Sequence, residues 1–368
     1  MAESPQTGNL SRPGERVPGP TGERGAARSR LPTLEDVARV AGVSRATVSR
    51  VVNGVRNVDP DLHTVVWAAV DSTGYVPNRA ARSLVTRRAG TVALVVSDSE
   101  EHDDPFLSRF FADPFFGRVV GGVLSALRPA GVQLGLHLVG SPPARVRLVG
   151  DLRQGQADGV VLLSLHPDDA LPGLLVEAGV AAVMVGRPAR PAPISYVDVA
   201  NEAGAALAVE HLLARGCQRI GLVAGPEHVP ASQDRVAGFR QAMARRGYAW
   251  SPSEAGNFTR ESGEAAMRRL LAAHPDLDGV FVANDLMAQG ALVALHEAGR
   301  RVPDDVAVVG FDDSSAAQAA QPPLTTVRHP LEVMAAEATR LLLARIEEPQ
   351  LRVASVIHDP VLVVRRSA

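Results

Sequence analysis

A run of side chains near the N-terminus can hydrogen-bond to a polyanion or to the edges of nucleic-acid bases. At helical spacing, Arg45, Ala46, Ser49, Arg50 and Asn53 share one face, and that face carries no acidic residue. Solvated helix faces usually mix charges, whereas an acid-free face rich in hydrogen-bond donors suits insertion into the major groove of DNA. An ordinary solvated face is the alternative that these residues alone leave open.

Helix signals around this run predict the elements that would carry it. Thr33 is a good N-cap, and Asp36 stands at the N3 position of a capping box. Gly42 suits a left-handed residue after the first helix, and Ser44 caps the second. The turn between the two helices is therefore only a few residues long, as in a helix-turn-helix.

A third helix is predicted to begin at Asp59 and Pro60, a cap followed by proline at the first helical position, and to end at Gly74. Its apolar residues recur at helical spacing. Those expected to face the core of this small bundle are Leu62, Val65, Val66, Ala69 and Val70.

The charge is unevenly distributed along the 368 residues. Residues 1–88 contain 13 arginines and 8 acidic residues, a formal charge of +5, whereas the rest contains 25 arginines and 32 acidic residues, or −7. A basic segment on an acidic body predicts a polyanionic partner for the small part alone. The composition of residues 1–32, rich in Pro, Gly, Arg and Ser, predicts a disordered tail.

Beyond residue 89 the pattern changes to short apolar runs that alternate with amphipathic stretches. Strands are predicted at 92–96, 132–139, 159–163, 182–185, 220–224, 279–283 and 306–310, and helices at 116–129, 201–215, 237–246 and 286–299. This alternation predicts parallel sheets covered by helices on both faces, in two doubly wound lobes rather than one. The Pro-rich stretch 188–193 is predicted to separate the lobes.

Polar residues follow several of these apolar runs, where doubly wound folds bind their ligands. Arg235 comes after the strand that ends at Ala224, and Asn284 and Asp312 come directly after two others. Two lobes that face each other with such groups can surround a small polyol with donors and acceptors. Three neighbouring residues have a structural alternative: Asp285 as a helix N-cap, Asp313 as a structural carboxylate and Phe116 as a core residue.

Other classes of protein lack support in the sequence. The chain has no cluster of Cys and His with metal-ligand spacing, no GxSxG motif, and no lysine for a phosphate-binding GxxxxGK[ST] loop. A sugar-binding protein of a transport system would need a signal peptide and would lack residues 33–88. We therefore expect no catalytic residue, no metal and no cofactor.

The stretch TLEDVARVAGVSRATVSRVVNG (33–54), with GYVPNRAARSL (74–84), resembles the LacI/GalR family of bacterial repressors. The resemblance implies that Arg45 and Ala46 open the recognition helix at positions that set operator choice, and that Ser49 and Arg50 contact phosphates and base edges. The whole set of DNA contacts that it implies in this segment is Thr33, Ser44, Arg45, Ala46, Thr47, Ser49, Arg50 and Asn53.

Residues 78–85 resemble the hinge helix of the same family. A helix this short is marginal alone in water, and the resemblance implies that it folds when two copies pair over the minor groove. Asn78, Ala81 and Leu84 are then DNA contacts, and Leu84 inserts into the central base step and kinks the duplex. The alternative is that Leu84 packs on the body as a linker residue.

The body also resembles this family, in DPFFGRVVGGV, HLLARGCQRIGLVAG, DRVAGFRQAM, DGVFVANDLMAQGAL, VPDDVAVVGFDD and PPLTTVRHP. The resemblance implies a periplasmic-binding-protein-like core whose effector-binding residues are Phe115, Arg235, Phe258, Asn284, Asp312 and His329. Two features depart from the family: the loop 98–112 is longer than in its shortest members, and His329 stands where others often carry a different polar residue.

The composition and the resemblance together predict four segments. These are a tail (1–32), a helix-turn-helix domain (33–77), a hinge helix and linker (78–89), and an effector-binding and dimerisation core (90–368). Within the core, lobe 1 is predicted at about 90–190 plus part of 329–356, and lobe 2 at about 194–326 plus the C-terminal segment.

The expected function is a ligand-responsive transcriptional regulator, by default a repressor. It would bind a pseudo-palindromic operator as a homodimer and respond to a small molecule. A sugar is favoured because few aromatic residues lie near the cleft for stacking on a purine; a nucleoside or purine effector and an activator mode are the alternatives. The single cysteine, Cys217, indicates the reducing cytoplasm, and no apolar run is long enough for a membrane span.

Overall fold

The computed structural model describes residues 31–53, 58–76, 88–98, 113–248 and 251–368. The chain divides into two compact units, 1–78 and 79–368. The predicted tail as far as residue 30, the hinge contacts Asn78, Ala81 and Leu84, and residues 99–112 of the lengthened loop lie outside the described residues. The predictions for these segments stay predictions.

The smaller unit contains three helices among its described residues: α1 (Leu34–Ala41), α2 (Arg45–Val52) and α3 (Pro60–Thr73). Their ends confirm the capping predictions. Thr33 forms a capping box with Asp36, Ser44 accepts from the Thr47 N–H, and Asp59 caps α3 with proline at its first position. Gly42 and Gly74 both take the left-handed conformation that ends a helix.

The core of this unit is small. Its buried residues come from all three helices: Val37, Ala38, Val48, Val51, Val52, Val66, Ala69 and Val70. Two of the five residues predicted to be buried on α3 are exposed instead, Leu62 and Val65. A helix of this length buries only a narrow stripe when it packs against two short neighbours, so the predicted apolar face was too wide.

The larger unit contains two six-stranded sheets, which define lobe 1 and lobe 2. Lobe 1 contains β1 (Thr91–Ser97), β2 (Gln133–Val139), β3 (Gly159–Ser164), β4 (Ala182–Val185), β5 (Ser195–Val199) and β11 (Ser355–His358), in the order β11-β5-β4-β3-β1-β2. Lobe 2 contains β6 (Ile220–Ala224), β7 (Ser253–Ala255), β8 (Gly279–Val282), β9 (Ala307–Asp312), β10 (Thr325–Arg328) and β12 (Val361–Val363), in the order β12-β10-β9-β8-β6-β7. Among these described strands, only β12 is antiparallel to its neighbour.

Helices alternate with the strands and cover the sheets. They are α4 (Pro114–Leu127), α5 (Pro142–Arg153), α6 (Leu171–Glu177), α7 (Asn201–Ala214), α8 (Pro230–Arg245), α9 (Arg260–Ala273), α10 (Asp285–Glu297), α11 (Ser315–Ala319) and α12 (Leu331–Glu347). Successive residues of β1 enter different cores: Val92, Leu94 and Val96 lie in one, Ala93 and Val95 in the other. Both faces of the sheet are therefore buried, which confirms the doubly wound prediction. In the part of the chain that the structure describes, no helix is both long and apolar enough to cross a membrane.

The chain changes lobes later than the Pro-rich stretch suggests. β5, after residues 188–193, still pairs with β4 of lobe 1, and lobe 2 begins only beyond it. The chain then returns to lobe 1 for α12 and β11 and ends with β12 in lobe 2. Sequence patterns missed β5, β7, β10, β11 and β12, because these strands are short and several carry exposed or polar residues.

Candidate functional site: an exposed helix and an interlobe cavity

Helix α2 exposes the residues that the sequence analysis assigned to DNA contact, to different degrees. Arg45, Ala46 and Arg50 are exposed, while Thr47 and Ser49 are partly buried. The opposite side of α2 is anchored in the core by Val48, Val51 and Val52. The helix can therefore present its polar face without disturbing its packing.

Several polar groups on this face are already bonded to each other. The Ser44 Oγ accepts from the Thr47 N–H at 3.1 Å, and Asn53 Nδ2 donates to the Ser49 Oγ at 3.2 Å. Arg45 Nε lies 2.9 Å from the Glu35 carboxylate on α1, so an acid absent from the face itself contacts it from the side. This ion pair is exposed, and such pairs contribute little to stability.

The first turn of α1 is fixed by the capping box. Thr33 N–H donates to Asp36 Oδ2 at 3.0 Å, and the Thr33 hydroxyl lies 2.8 Å from the same oxygen. These bonds, with Arg39, lower the pKa of Asp36 to about 2. Thr33 therefore has a clear structural role at the helix start.

A cavity of about 450 Å³ lies between the lobes of the larger unit. Its lining comes from segments at the carboxyl ends of the strands in both sheets, as the fold class predicts. All six predicted effector-binding residues line it: Phe115, Arg235, Phe258, Asn284, Asp312 and His329. The structure thus brings together positions that are spread over 215 residues of sequence.

Arg235 is a buried charged group in this lining. It lies on the second turn of α8 and only 4% of its surface is exposed. Its Nε donates to Asn201 Oδ1 at 2.9 Å, its Nη1 donates to the Ala283 carbonyl at 2.6 Å, and its guanidinium stacks on the Phe311 ring at 3.6 Å. Burial lowers the pKa of Arg235, and Asp312, 3.8 Å from Nη1, opposes that effect.

Asp312 and His329 are paired beside this arginine. His329 Nδ1 lies 3.4 Å from Asp312 Oδ1, and burial lowers the pKa of the imidazole so that the neutral ring is favoured. The second ring nitrogen, Nε2, is buried and has no hydrogen-bond partner among the residues that the structure describes. A buried polar atom of this kind has lost its hydration without compensation, which a ligand hydroxyl could restore.

Asn284 has a structural role that the sequence analysis gave to Asp285. Asn284 is the N-cap of α10, because its Oδ1 accepts from the Met287 N–H at 2.9 Å. Its Nδ2 donates to the Phe258 carbonyl at 3.0 Å, which ties the cap to the loop after β7. The side chain of Asn284 therefore orients Phe258 as well as facing the cavity.

Asp285 is buried directly behind the lining. It accepts from the Ser314 N–H at 2.7 Å and lies 2.6 Å from the Thr326 hydroxyl. Burial and the neighbouring Asp312 raise the pKa of Asp285 to about 7. The prediction that Asp285 caps α10 is wrong, because Asn284 is the cap; the carboxylate of Asp285 instead joins three elements.

Three residues other than glycine have positive φ in the described chain, and all belong to lobe 2 beside the cavity. They are Phe258 (71°), Asp312 (114°) and Asp313 (53°). Such backbone conformations cost of order 1–3 kcal/mol and tend to occur at functional sites. Asp313 is held there by ion pairs with Arg328 and Arg365, which confirms its structural role.

Two aromatic residues at the start of α4 form the opposite wall in lobe 1. Phe115 and Phe116 meet edge to face, with ring centroids 5.3 Å apart, and Phe115 also lies 6.3 Å from the His329 ring. Phe116 is buried in the lobe 1 core, as predicted, and also reaches the lining. An apolar wall opposite a polar floor suits a ligand with one apolar and one hydroxylated face.

Comparison with known proteins matches two segments of this chain to described families. Residues 33–78 match the family described as "Bacterial regulatory proteins, lacI family", and residues 209–368 match "Periplasmic binding protein-like domain". The HTH-type transcriptional regulator CelR of Thermobifida fusca is 46% identical over 344 residues, which cover 92% of this chain and 99% of CelR. The ribose operon repressor of Halalkalibacterium halodurans is 33% identical, with 92% and 97% covered.

The chain belongs to the LacI family.

Two solved structures of LacI-family regulators extend over nearly the same range. A CelR–cellobiose complex is 44% identical with a TM-score of 0.71, and covers 92% of this chain and 100% of its own. A lac repressor dimer bound to operator and the anti-inducer ONPF is 27% identical with a TM-score of 0.77, at 92% and 99% coverage. The protein is accordingly a DNA-binding transcriptional regulator and not an enzyme.

Two arginines of lobe 1 reach lobe 2. Arg118 on α4 donates to the carbonyls of Asp312 and His329, each at 2.9 Å. Arg187, just after β4, forms a two-point ion pair with Asp234 on α8, at 2.9 and 2.6 Å. These bonds connect the two lobes.

Sequence reasoning missed several residues in the lining. In lobe 1 these are Asp98, Asp113, Arg187 and Asp198, and in lobe 2 they include Asn257, Arg260 and Glu261. Asp98 and Asp198 follow β1 or end β5, so the strand-end rule could have found them. The others depend on which side of a loop faces the cavity, a property without a local sequence signal.

Proposed function

We propose that this regulator is a sugar-responsive repressor that acts in the cytoplasm and binds a pseudo-palindromic operator as a homodimer. The observation that carries the proposal is the cavity floor, where Arg235, Asp312 and the unpartnered His329 Nε2 offer donors and an acceptor within one small region. Fixed groups of both kinds match the hydroxyls of a sugar, each of which can donate and accept.

Relatives support both the sugar and the repressor mode. CelR has been solved with cellobiose, and the ribose operon repressors and GalR are similar along 92% of this chain. PurR proteins are also similar, at 30% identity. A purine would need a flat aromatic stack, whereas here Phe115 and Phe116 meet edge to face. We therefore favour a sugar over a purine.

The dimer is supported by the edge of lobe 1. In the described chain β2 is an edge strand, and its residues Leu134, Leu136 and Leu138 are apolar, with Leu136 44% exposed. An unpaired apolar edge is an aggregation hazard unless something covers it. A second copy would cover it and would supply the second headpiece that a two-fold symmetric operator requires.

The proposal can be tested with the purified full-length chain. Its preferred duplex is first enriched from random-sequence DNA, and its affinity is then measured by fluorescence anisotropy with and without a panel of sugars, nucleosides and purines. We expect one sugar to change operator affinity by about 5- to 150-fold, the usual range of allosteric coupling. A response to a nucleoside or purine alone would overturn the sugar assignment.

Arg50 tests the DNA-reading side. An arginine on the recognition helix can bond a guanine at two points, which gives roughly 1–3 kcal/mol of discrimination. We expect Arg50→Ala to lose about 5- to 150-fold affinity for the operator and much less for scrambled DNA at the same salt concentration. Equal losses on both duplexes would instead indicate a phosphate contact.

A further inference from the structure

The lobe 1 sheet ends in an open edge at β11. Among the described strands β11 has a neighbour on one side only, β5, and β2 stands at the opposite end of the sheet. The Tyr196 N–H of β5 donates to the Ala354 carbonyl at 3.1 Å, so the backbone groups of Ala354 face β5. Because a strand alternates from one residue to the next, the backbone groups of Val353, Ser355 and Ile357 point away from the sheet.

The same three residues expose their side chains. Val353 and Ile357 are 46% and 50% exposed, and Ser355 between them is also exposed. Alternate residues of a strand share a face, so the three side chains project on one side. Ala354 and Val356 are partly buried on the other side, where Val356 packs against the lobe 1 core. This edge therefore combines outward backbone groups with an exposed apolar face.

The usual protection of a sheet edge is missing from β11. Open edges commonly carry a lysine, a proline or a bulge that prevents pairing with another strand. Residues 353–358 read VASVIH, and β11 pairs with β5 in an unbroken register from Ser355 to His358. An unprotected apolar edge of this kind is suited to pair with a further strand.

The sequence of the edge is complementary to itself when two copies run antiparallel. A two-fold axis perpendicular to the sheet keeps the exposed faces of both copies on the same side. With Ser355 on the axis, Val353 of each copy lies opposite Ile357 of the other, which gives two apolar cross-strand pairs. The opposed residues are those whose backbone groups point outward, so each opposed pair can exchange two hydrogen bonds.

The charges at the ends of the strand favour the same orientation. Arg352 precedes this stretch and Asp359 follows it, and both are exposed. An antiparallel pair brings the Arg352 end of each copy to the Asp359 end of the other, whereas a parallel pair would place like charges side by side. Apolar pairs and charges thus agree on one occupant of the edge, a second copy of this chain, rather than an unrelated extended peptide.

We propose that two copies of this chain associate through β11, antiparallel and with Ser355 on the two-fold axis, so that their lobe 1 sheets become continuous. This contact goes beyond the dimer proposed above, which uses β2 at the opposite edge of the same sheet. Two dimers can therefore join into a tetramer through β11. A contact between two short strands is small, so the association is reversible and depends on protein concentration.

Sedimentation velocity of the full-length protein over a range of concentrations tests this contact. We expect the wild type to shift from dimer towards tetramer as its concentration rises. Ile357→Lys places an ammonium group opposite the apolar Val353 of the second copy, so the tetramer should be lost while the dimer remains.

Ser355→Pro is an independent variant that tests the backbone pairing. Proline removes the outward N–H on the axis, and edge strands tolerate proline where the N–H faces solvent. The fold and the dimer should therefore be retained, and the tetramer should again be lost.

Val364→Lys is the matched control. Val364 is 59% exposed and follows β12 in lobe 2, outside the paired stretch, so the tetramer should form as in the wild type. All three variants should bind the enriched operator duplex with wild-type affinity in the anisotropy assay, which shows that the headpiece and the dimer are intact.

The outcomes distinguish the two edges of the sheet. A wild type that remains a dimer at every concentration would overturn the inference. An equal loss of tetramer in Ile357→Lys and Val364→Lys would also overturn it, because that result indicates general apolar adhesion rather than strand pairing. If Ile357→Lys yields monomers while Leu136→Lys, on β2, leaves the assembly unchanged, then β11 is the dimer contact and the proposed dimer at β2 fails.

Discussion

The two lobes contribute different things to the cavity. Lobe 2 supplies Arg235, Asn284, Asp312 and Phe258, held by strained backbone and by hydrogen bonds among themselves. Lobe 1 supplies an aromatic wall and the arginines that cross to lobe 2. The comparison leads us to propose that lobe 2 fixes the ligand, whereas lobe 1 responds to its position.

Lobe 1 is also where the chain enters the core from the DNA-binding side. Arg88 bonds to Glu347 and to the Ile346 carbonyl at the end of α12, and Ala89 N–H donates to Asp158 at 2.6 Å. The opposite end of α12 begins directly after His329, and its Leu331 and Met334 line the cavity. One helix therefore links the ligand site to the entry point of the chain.

The largest effect should come from Arg235→Ala. The substitution removes charged hydrogen bonds from the floor, so we expect ligand affinity to fall about 100-fold, at roughly 1.5–3 kcal/mol for a hydrogen bond to a charged group. Operator affinity without ligand should stay near that of the wild type. Calorimetry and anisotropy measure the two quantities.

A matched comparison keeps this test sharp. Arg187→Ala removes the ion pair with Asp234 but leaves the floor intact, so its loss of ligand affinity should be much smaller. If both variants lose affinity equally, lobe 2 does not dominate recognition. Circular dichroism identifies a variant that fails only because it is unfolded.

The buried Asp285 should make the stability of the core depend on pH. Its pKa is raised to about 7, so the native state holds a proton that the unfolded chain releases above about pH 4. The free energy of unfolding should therefore fall as pH rises from about 4 to 7, by up to about 1.4 kcal/mol per pH unit, and then level off. Urea unfolding at several pH values measures this slope.

Asp285→Asn is the corresponding variant, because its amide resembles the protonated acid in shape and charge. We expect it to flatten the profile between pH 4 and 7. A profile unchanged by the substitution would assign the slope to other groups, and a slope of opposite sign in the wild type would show that the bonds from Ser314 and Thr326 outweigh burial.

Arg88→Ala should have the smallest effect, and on coupling alone. The exposed bonds to α12 contribute up to about 1 kcal/mol, so the factor by which ligand changes operator affinity should shrink by up to about fivefold. Ligand affinity in the absence of DNA should not change. Arg340→Ala, an exposed arginine on the same helix, is the control; an identical effect in both variants would contradict a specific role for Arg88.

Features that depend on residues close together in the sequence, such as helix caps, were predicted correctly. Thr33, Ser44 and Gly42 were identified correctly because capping depends on residues within one turn. The strand-end rule and the family resemblance together located all six predicted cavity residues. The lobe of β5, by contrast, depends on pairing with β4 and with the distant β11, which no local pattern reveals.

Individual side-chain roles were harder to predict for the same reason. Asn284 rather than Asp285 caps α10. The carboxylate of Asp285 instead accepts hydrogen bonds from Ser314 and Thr326, which lie 29 and 41 residues further along the chain. The Arg187–Asp234 pair spans 47 residues and two lobes. Such roles follow from tertiary packing, which brings distant groups together after the local choices are made.

The bonds of Asp285 have a consequence for how the ligand range of such a protein can change over evolutionary time. A single substitution at Asp285, Ser314 or Thr326 leaves a buried partner unsatisfied, so the floor resists change one residue at a time. The side chains of Arg260 and Glu261 are exposed and make no such bonds within the described residues. A substitution at either position therefore leaves no buried partner unsatisfied. Point mutation can therefore change the exposed part of the lining, around Arg260 and Glu261, while the bonds of Asp285 behind the floor are retained.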